Sequence, residues 1–467
     1  MTQRDRFERH LKRRPHPHRP FYARPAMSRR AFLGLAGTGV TASFLIPPVG
    51  AGQVVPWAQV ETKNTARQVI FILLAGAISQ VDTFDFKLVE GVTPREFEPV
   101  RVGDVVWPAG LMPKLGERLN RMAILRSMRA WALQHSGMQT WVQIGRNPSA
   151  ALGEIAPNIG SIVAAEKEPE RQPGQVFPGF LALNAQNAVG PGYLSSQYAP
   201  FRIEPAAGGL SYASHPLADG PSRFDFRYRL LGELDGALRV NSPLGRPAEE
   251  FEAYYETSRK LMYNPAVEQA FSYSAEESAR YGNSAFGNAC VVAFKVLRAN
   301  QGTRYIQIVF EGWDHHQDIY NPNLAGRLPR MAKALDDALS ALLDDLVAAG
   351  LFEETLLVMT GEFGRTVGPL SPQAGRDHFL QHFVVFAGGG VKGGKILGAT
   401  DPTGSITVEP GWSRDRDARI EDVEATIYSA LGINWTNVRY DDPFGRGFEY
   451  VPRSKDDIYG PIHELWA

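Results

Sequence analysis

One cysteine, Cys290, stands in 467 residues. No intramolecular disulfide can form, and a thiolate metal site is excluded. Cys290 lies in "FGNACVVAFKVL", whose pattern predicts a helix with a small buried residue at that point. No G-x-S-x-G nucleophile elbow occurs. Gly389, Gly394 and Lys395 fit the frame of a phosphate loop, but Ile396 stands where Ser or Thr must hold Mg²⁺, and no helix pattern comes after it, so that motif is refused. Charge of one sign is also missing, since 49 basic and 50 acidic residues leave a formal net of −1. Aromatics at 10% and charge at 21% exclude a disordered chain.

The near-neutral total hides an asymmetry. Residues 1–30 carry ten Lys/Arg and only Asp5 and Glu8, and residues 31–51 carry no charge. Residues 52–467 hold the remaining 39 basic and 48 acidic groups, a net of −9 with no basic stripe. No nucleic-acid partner is expected. The segment Ser28-Arg29-Arg30-Ala31-Phe32-Leu33 resembles a twin-arginine export signal. The apolar stretch behind it, Ala31 to Ile46, is 16 residues long and glycine-rich, short of the ~20 that cross a bilayer. Val49-Gly50-Ala51 offers small residues for cleavage, and an uncleaved anchor is the alternative. The expectation is a signal region over 1–51, a linker over 52–66, and a periplasmic or exported mature chain. That chain would have no stable transmembrane segment, and the twin-arginine machinery would be its partner in export.

Four apolar runs read as buried strands: 68–76, 304–310, 355–360 and 383–390, with 122–128 as a weaker fifth. Between them, Met331, Leu335, Leu339, Leu342, Leu343 and Leu346 recur at helical spacing, and Gly350 comes after them where a left-handed cap belongs. Continuous apolar strands alternating with helices predict an α/β fold. Its central sheet would be mixed but mainly parallel, with helices on both faces, over 67–467. Residues 195–285, rich in Pro, Tyr and Ser, break the rhythm and read as an insertion or cap, with a helical patch near 247–281.

In such sheets ligands bind beyond the carboxyl ends of the strands. The first strand is followed by Ser79, Asp82 and Asp85, and the second by Asp314, His315, His316 and Asp318. The third is followed by Glu362. The fourth is preceded by Asp377, His378 and His382, and the weak fifth is followed by His135 and Ser136. A lone aspartate after a strand is usually a turn or cap. Convergence of several on one sheet edge is a different matter. Oxygen and imidazole donors without thiolate suit Zn²⁺, Mn²⁺ or a similar ion, which would polarise an ester oxygen.

The segments "FILLAGAISQVDTFDFK", "SMRAWALQHSGMQT", "GPGYLSSQYAPF", "RYGNSAFGNAC", "EGWDHH", "LDDALSALLDDLVAAGLFEETLLVMTGEFGR", "GRDHF" and "VVFAGGGVKGG" occur in that order over about 67–450. Together they resemble the exported bacterial proteins of the domain of unknown function 1501 family, placed in the alkaline phosphatase and sulfatase superfamily. The resemblance implies an alkaline-phosphatase-like sandwich. It points to Asp82 (Asp85 second) as the first metal-binding aspartate, to Asp314 and His316 after a middle strand, and to His378 before the glycine-rich turn. Glu362-Phe363 stands where an Asp-His pair is usual. Asp422 and Thr426 match the closing helix. Ten residues before Gly145-Arg146-Asn147-Pro148, where the superfamily carries its nucleophile, stands His135, next to Ser136. His135 is open to three roles: ligand, nucleophile or acid/base group. Ser136 would need a base or metal to act.

The resulting expectation is a metal-dependent hydrolase of a phosphate or sulfate ester, either a small molecule or a glycan. Asp82, Asp314, His316, Glu362 and His378 would hold one or two divalent ions (Zn, Mn, Ca or Mg). Arg365 and Arg376 would hold the anion, or else form structural ion pairs. The rival expectation is a non-catalytic exported binding protein that keeps the fold and a structural metal. The two divide on whether Asp82, Asp314, Glu362 and His378 meet within ligand reach. Of the neighbouring pair, His316 is expected at the site and His315 turned away, as alternation in an extended segment requires.

Overall fold

The computed structural model describes residues 54–103, 105–211, 213, 219–239 and 258–467. The expected signal and its cleavage site lie outside them. An eight-stranded sheet forms the centre: Gln68–Ala75 (β1), Met122–Arg129 (β2), Phe180–Leu183 (β3), Phe201–Ile203 (β4), Tyr305–Glu311 (β5), Thr355–Thr360 (β6), Gln381–Ala387 (β7) and Lys395–Leu397 (β8), in the order β8-β2-β7-β6-β1-β5-β3-β4. Only β7 runs against the others. The fold is the expected mixed, mainly parallel α/β sandwich. All five runs read as strands are strands.

Side chains on β1 alternate between two cores. Ile70, Ile72 and Leu74 join one hydrophobic cluster, and Val69, Phe71 and Leu73 join the other. The first core is closed by the helices Ala285–Ala299 (α3) and Leu328–Ala348 (α4). The second is closed by Ile159–Lys167 (α2) and Ile420–Ala430 (α5). A strand buried on both faces has no polar side to alternate with, which is why it reads as an unbroken apolar run. Each fully buried Leu, Ile or Phe contributes about 1.5–3 kcal/mol. Cys290 is one of these core residues, free and buried on α3.

Two details differ from the expectation. Val54–Pro56, inside the stretch expected as a linker, pairs with Asn437–Arg439. Phe201–Ile203, inside the expected insertion, is the edge strand β4. The helical part of that insertion begins earlier than expected, at Gly220–Arg239; residues 247–257 of the expected helical patch lie outside the described ones.

Helix His135–Ile144 (α1) comes after β2 and carries His135 at its first position, with the Gln134 side chain capping it through the Gly137 N–H. Its other end is fixed by a close approach. Gly145 has φ +61°, and a Cβ there would collide with Glu424 Oε2 on α5. Glu424 is buried, and its Oε1 accepts from the Tyr428 hydroxyl at 3.0 Å. Burial pushes its carboxyl up to about 8, with the Arg146 charge opposing only in part. A carboxyl raised in the folded state holds a proton that the unfolded chain releases. Its contribution is therefore complete below the ordinary glutamate range and fades as pH rises towards 8, by up to roughly 1.4 kcal/mol per pH unit. The thermal midpoint is expected to fall from pH 5 to pH 8, and Glu424→Gln should flatten that fall. An unchanged pH slope in the variant would show that Glu424 ionises normally.

Candidate metal centre

Three segments close over the carboxyl ends of β1, β5 and β6. After β5 the chain passes Gly312 (φ +106°), and Trp313 N–H donates to the Ala75 carbonyl at the end of β1. After β6, Gly364–Arg365 pairs with His378–Phe379 in a short antiparallel hairpin, with Arg365 opposite His378. The Arg376 N–H donates to the His315 carbonyl at 2.9 Å, joining the loop before β7 to the loop after β5. α1 adds His135 from the far side.

These segments bring His135, Asp314, His316 and His378 together, with one ligand atom from each within 4.8 Å of the others. The rings are held from behind. His135 Nδ1 meets Glu362 Oε1 at 2.7 Å, His316 Nδ1 meets Asp377 Oδ1 at 2.9 Å, and His378 Nδ1 meets the Leu133 carbonyl at 2.7 Å. Each of these partners is an acceptor, so in each neutral ring Nδ1 carries the proton and Nε2 presents a lone pair. The three Nε2 atoms stand 3.3, 2.9 and 3.8 Å from the single atom Asp314 Oδ1. His316 Nε2 and His378 Nε2 are 3.0 Å apart.

Lone pairs and a carboxylate oxygen converging on one point repel unless something positive lies between them. Ligands about 2.0–2.1 Å from a tetrahedral Zn²⁺ are ~3.3 Å from each other, close to the spacings observed here. The backing of imidazole by carboxylate or carbonyl is the arrangement that orients metal-bound histidines. The residues therefore fit a divalent ion of the zinc type, with imidazole donors suiting Zn²⁺ and Mn²⁺ better than Ca²⁺ or Mg²⁺. Electrostatics agree. The Glu362 hydrogen bond outweighs burial and raises His135. Burial lowers His378, the Leu133 carbonyl notwithstanding. Partial burial would raise Asp314, but the Arg365 hydrogen bond and the charges of Arg365, His135 and His316 hold it below the usual aspartate range.

The other residues expected at the site are placed differently. Glu362 is buried behind His135. Its Oε1 accepts from Gly76 N–H (2.9 Å), His135 and Gln139 (3.1 Å), while Oε2 makes no hydrogen bond. Asp82 stands apart from the four in a buried pair with Arg376, at 2.8 Å (Oδ2 to Nε) and 3.2 Å (Oδ1 to Nη2). Its oxygens also accept from Ser79 (2.6 Å) and Tyr320 (2.8 Å). The set Asp82, Asp314, Glu362 and His378 does not meet as a unit; His135 and His316 take the places of Asp82 and Glu362. Asp85 is buried elsewhere, against Lys87 and Thr400. The Ser136 hydroxyl is exposed and bonded to Gln134, since adjacent helix residues face different ways. His315 is turned away into the interior against Trp313, where burial pushes its pKa down to about 4.

Arg365 and Arg376 are both buried. Arg365 donates through Nε to the Ala77 carbonyl (2.9 Å), through Nη1 to the Arg376 carbonyl (3.1 Å), and through Nη2 to the Gly76 carbonyl and Asp314 Oδ1 (2.5 Å). Its Nη1 also lies 3.4 Å from His316 Nε2. Arg376 donates through Nη1 to the Thr366 and Gly368 carbonyls (2.8 and 3.0 Å), and through Nε and Nη2 to Asp82 and Tyr320. A guanidinium has five N–H bonds. Arg376 directs all five at protein oxygens; Arg365 directs four at carbonyls and Asp314, and its fifth, on Nη1, faces the His316 Nε2 lone pair that an ion would take. Both are engaged in structural ion pairs, the second of the two expectations for them. Gln139, which holds Glu362, carries no signal of its own in the sequence, and Asp377, which holds His316, is one of the strand-end carboxylates but not of the expected ligand set. Asp377 stands next to His378 in "GRDHF", and only its position in space gives it a role.

If the backing carboxylates orient the rings, Asp377→Asn and Glu362→Gln should each weaken Zn²⁺ binding by about 10–100-fold in competition with a chromophoric chelator, with the fold intact by circular dichroism. Unchanged affinity in both would show that the rings need no such support.

No curated protein matches the sequence significantly. Solved structures that share the fold at low similarity include a sulfatase from Pseudoalteromonas sp. (13% identity, 79% of this chain and 68% of that one, TM-score 0.38). A protein of the alkaline phosphatase superfamily from Vibrio parahaemolyticus is another (12%, 85% and 72%, 0.39). A third is the C-terminal periplasmic domain of EcEptC from Escherichia coli, in complex with Zn (9%, 82% and 85%, 0.37). The sequence matches the family described as "Protein of unknown function (DUF1501)" over residues 66–456, and the chain belongs to that family.

Proposed function

We propose that this protein is an exported hydrolase of a phosphate or sulfate ester that works with a divalent ion held by His135, Asp314, His316 and His378. The observation that carries the reading is the convergence of three imidazole Nε2 atoms, each anchored through Nδ1, on one carboxylate oxygen. Lone pairs and a carboxylate oxygen brought this close repel unless a positive charge lies between them. When bound, such an ion polarises an ester oxygen and stabilises the negative charge that develops on it.

The chain's own residues do the rest. Glu362, Asp377 and the Leu133 carbonyl keep the protons on Nδ1, so that the Nε2 lone pairs stay available. Arg365 keeps Asp314 ionised and its Oδ1 aimed at the centre. Asp314 and His316 are exposed by nearly half, at 46% and 44% of their side chains, so the cluster is open to a substrate. Export rests on the twin-arginine pattern at Ser28–Leu33, and no described helix is long and apolar enough to cross a membrane.

Two observations favour the binding-protein reading. Asp82, Asp314, Glu362 and His378, the set on whose meeting the hydrolase expectation depends, do not meet within ligand reach. Among the described residues no serine, threonine or cysteine hydrogen-bonds to the four, so the cluster brings no hydroxyl or thiol nucleophile of its own.

The deciding experiment is metal analysis of protein exported by its own host, with turnover measured on phosphate monoesters, phosphate diesters and sulfate esters. Bound Zn or Mn is expected, with hydrolysis of at least one ester class. His135→Ala and His378→Ala should each lower kcat/KM by ~10²-fold or more while leaving the circular dichroism spectrum unchanged. Bound metal without turnover would favour the binding protein. Neither metal nor turnover would sink both readings of the cluster.

A further inference from the structure

The expectation of one or two ions can be narrowed from the way the neighbouring carboxylates are engaged. A second ion beside the first would need further oxygen donors. The candidates that the sequence offers are Asp82 and Glu362, with Asp314 shared between the two ions. Both Asp82 oxygens are occupied, by Arg376, Tyr320 and Ser79, in a pair whose two side chains are fully buried. Asp314 Oδ1 is already bonded to Arg365. Glu362 Oε2, buried behind His135, and Asp314 Oδ2 are left without a hydrogen bond, and these two oxygens belong to no further group of three ligating side chains.

The formal charges point the same way. Asp82, Asp314, Glu362 and Asp377 carry four negative charges, and Arg365 and Arg376 carry two positive ones. The remaining two are cancelled by one divalent ion. A second would leave an excess of two positive charges beside the buried groups Asp82, Glu362, Arg365 and Arg376, which is unfavourable. Among the described residues, no other group of three or more ligating side chains comes together closely enough to hold a metal ion.

We propose that the centre is built for a single ion, with the buried guanidinium of Arg365 supplying the positive charge that a second ion would bring and Arg376 withdrawing Asp82 from the ligand set. The inference rests on the metal reading above, since without an ion at the four residues the question of a second does not arise. It assigns both arginines to the architecture of the centre. All five N–H bonds of Arg376 and four of Arg365 are directed at protein oxygens, so Arg376 has none left for a substrate anion and Arg365 has only the Nη1 N–H beside His316. Arg365 is a positioning residue for Asp314, and Arg376 for Asp82 and, through its carbonyl, for Arg365.

The test is native mass spectrometry of the full chain titrated with Zn²⁺, repeated with Mn²⁺. One ion per chain is expected, bound without cooperativity and lost in His316→Ala. Two ions per chain, both lost in His316→Ala, would overturn the inference while leaving the metal reading standing. No bound ion would overturn the metal reading and this inference with it. Asp82→Asn supplies an independent check. It should still bind one ion, with Zn²⁺ affinity within about threefold of the parent, while its thermal midpoint falls because the buried Arg376 has lost its counter-charge. A tenfold or greater loss of affinity in that variant would return Asp82 to the ligand set. If the variant does not fold, the stoichiometry of the parent protein decides.

Discussion

The short contact between Arg365 Nη2 and Asp314 Oδ1 is the interaction on which the arrangement of the centre depends. It joins three pieces of chain that have no other reason to hold one geometry. The same guanidinium takes the carbonyls of Gly76 and Ala77, where β1 gives way to irregular backbone, and the carbonyl of Arg376 in the loop before β7. Gly76 makes this approach possible. At φ +98° a Cβ would lie 2.7 Å from the Asp314 N atom, so the end of β1 and the 313–314 backbone can be neighbours only if that residue is glycine. A buried cation is expensive to desolvate and is tolerated when every donor is used. Here four of the five meet carbonyls or Asp314 and the fifth faces His316, and the result is a rigid floor under Asp314.

The other vertices of the site are built onto that floor. The Asp314 carboxylate is one; the imidazoles are the others, and each is fixed from outside by an acceptor on a different segment. Glu362 comes from the end of β6, Asp377 from the loop before β7, and Leu133 from the loop before α1. No single element builds the site. Moving any one of them would rotate one ring and leave the other two in place, so ion affinity depends on the mutual register of β1, β5, β6 and β7. The two apolar cores on the faces of the sheet set that register, because a one-residue slip in any of these strands would exchange its two buried faces.

The strands were legible in the sequence for the same reason that they are stable. A strand covered on both sides must be apolar throughout, and such runs stand out in a chain of ordinary composition. Asp314, His316 and His378 were legible as candidate ligands, and His135 as a residue beside them, because the carboxyl ends of the strands fall on one edge of the sheet; that His135 joins the three while Asp82 and Glu362 do not was not. Two further things were not legible. One was the division of labour among the carboxylates: Asp82 and Glu362 look as suitable as Asp314 until one sees that a buried arginine already holds the first and that the second stands behind His135. Sequence spacing records which side chains are near the edge, not which of their lone pairs are spent. The other was the extent of the folded body. Short pairings such as Val54–Pro56 with Asn437–Arg439, or the three-residue edge strand Phe201–Ile203, carry too little periodic pattern to register and are imposed by tertiary contacts.

The geometry also bears on the role of His135, which the sequence left open. An imidazole with its Nδ1 proton held by Glu362 has one lone pair to offer, on Nε2. That lone pair can bind an ion or attack a phosphorus or sulfur centre, and it cannot do both at once. Because Nε2 faces the same point as the Nε2 atoms of His316 and His378, ligation uses it and nucleophilic attack would have to dislodge it. General acid–base work at Nε2 is excluded by the same argument while an ion is bound. Ser136 offers no substitute, since its hydroxyl is turned to Gln134 on the exposed side of α1. Among the described residues no serine, threonine or cysteine hydrogen-bonds to the four, so under the proposed hydrolase reading water is the attacking group. The substrate's charge would then be met by the ion and by groups beyond the four ligands. On that reading the reaction would be a direct displacement on the ester, without a covalent intermediate on the chain.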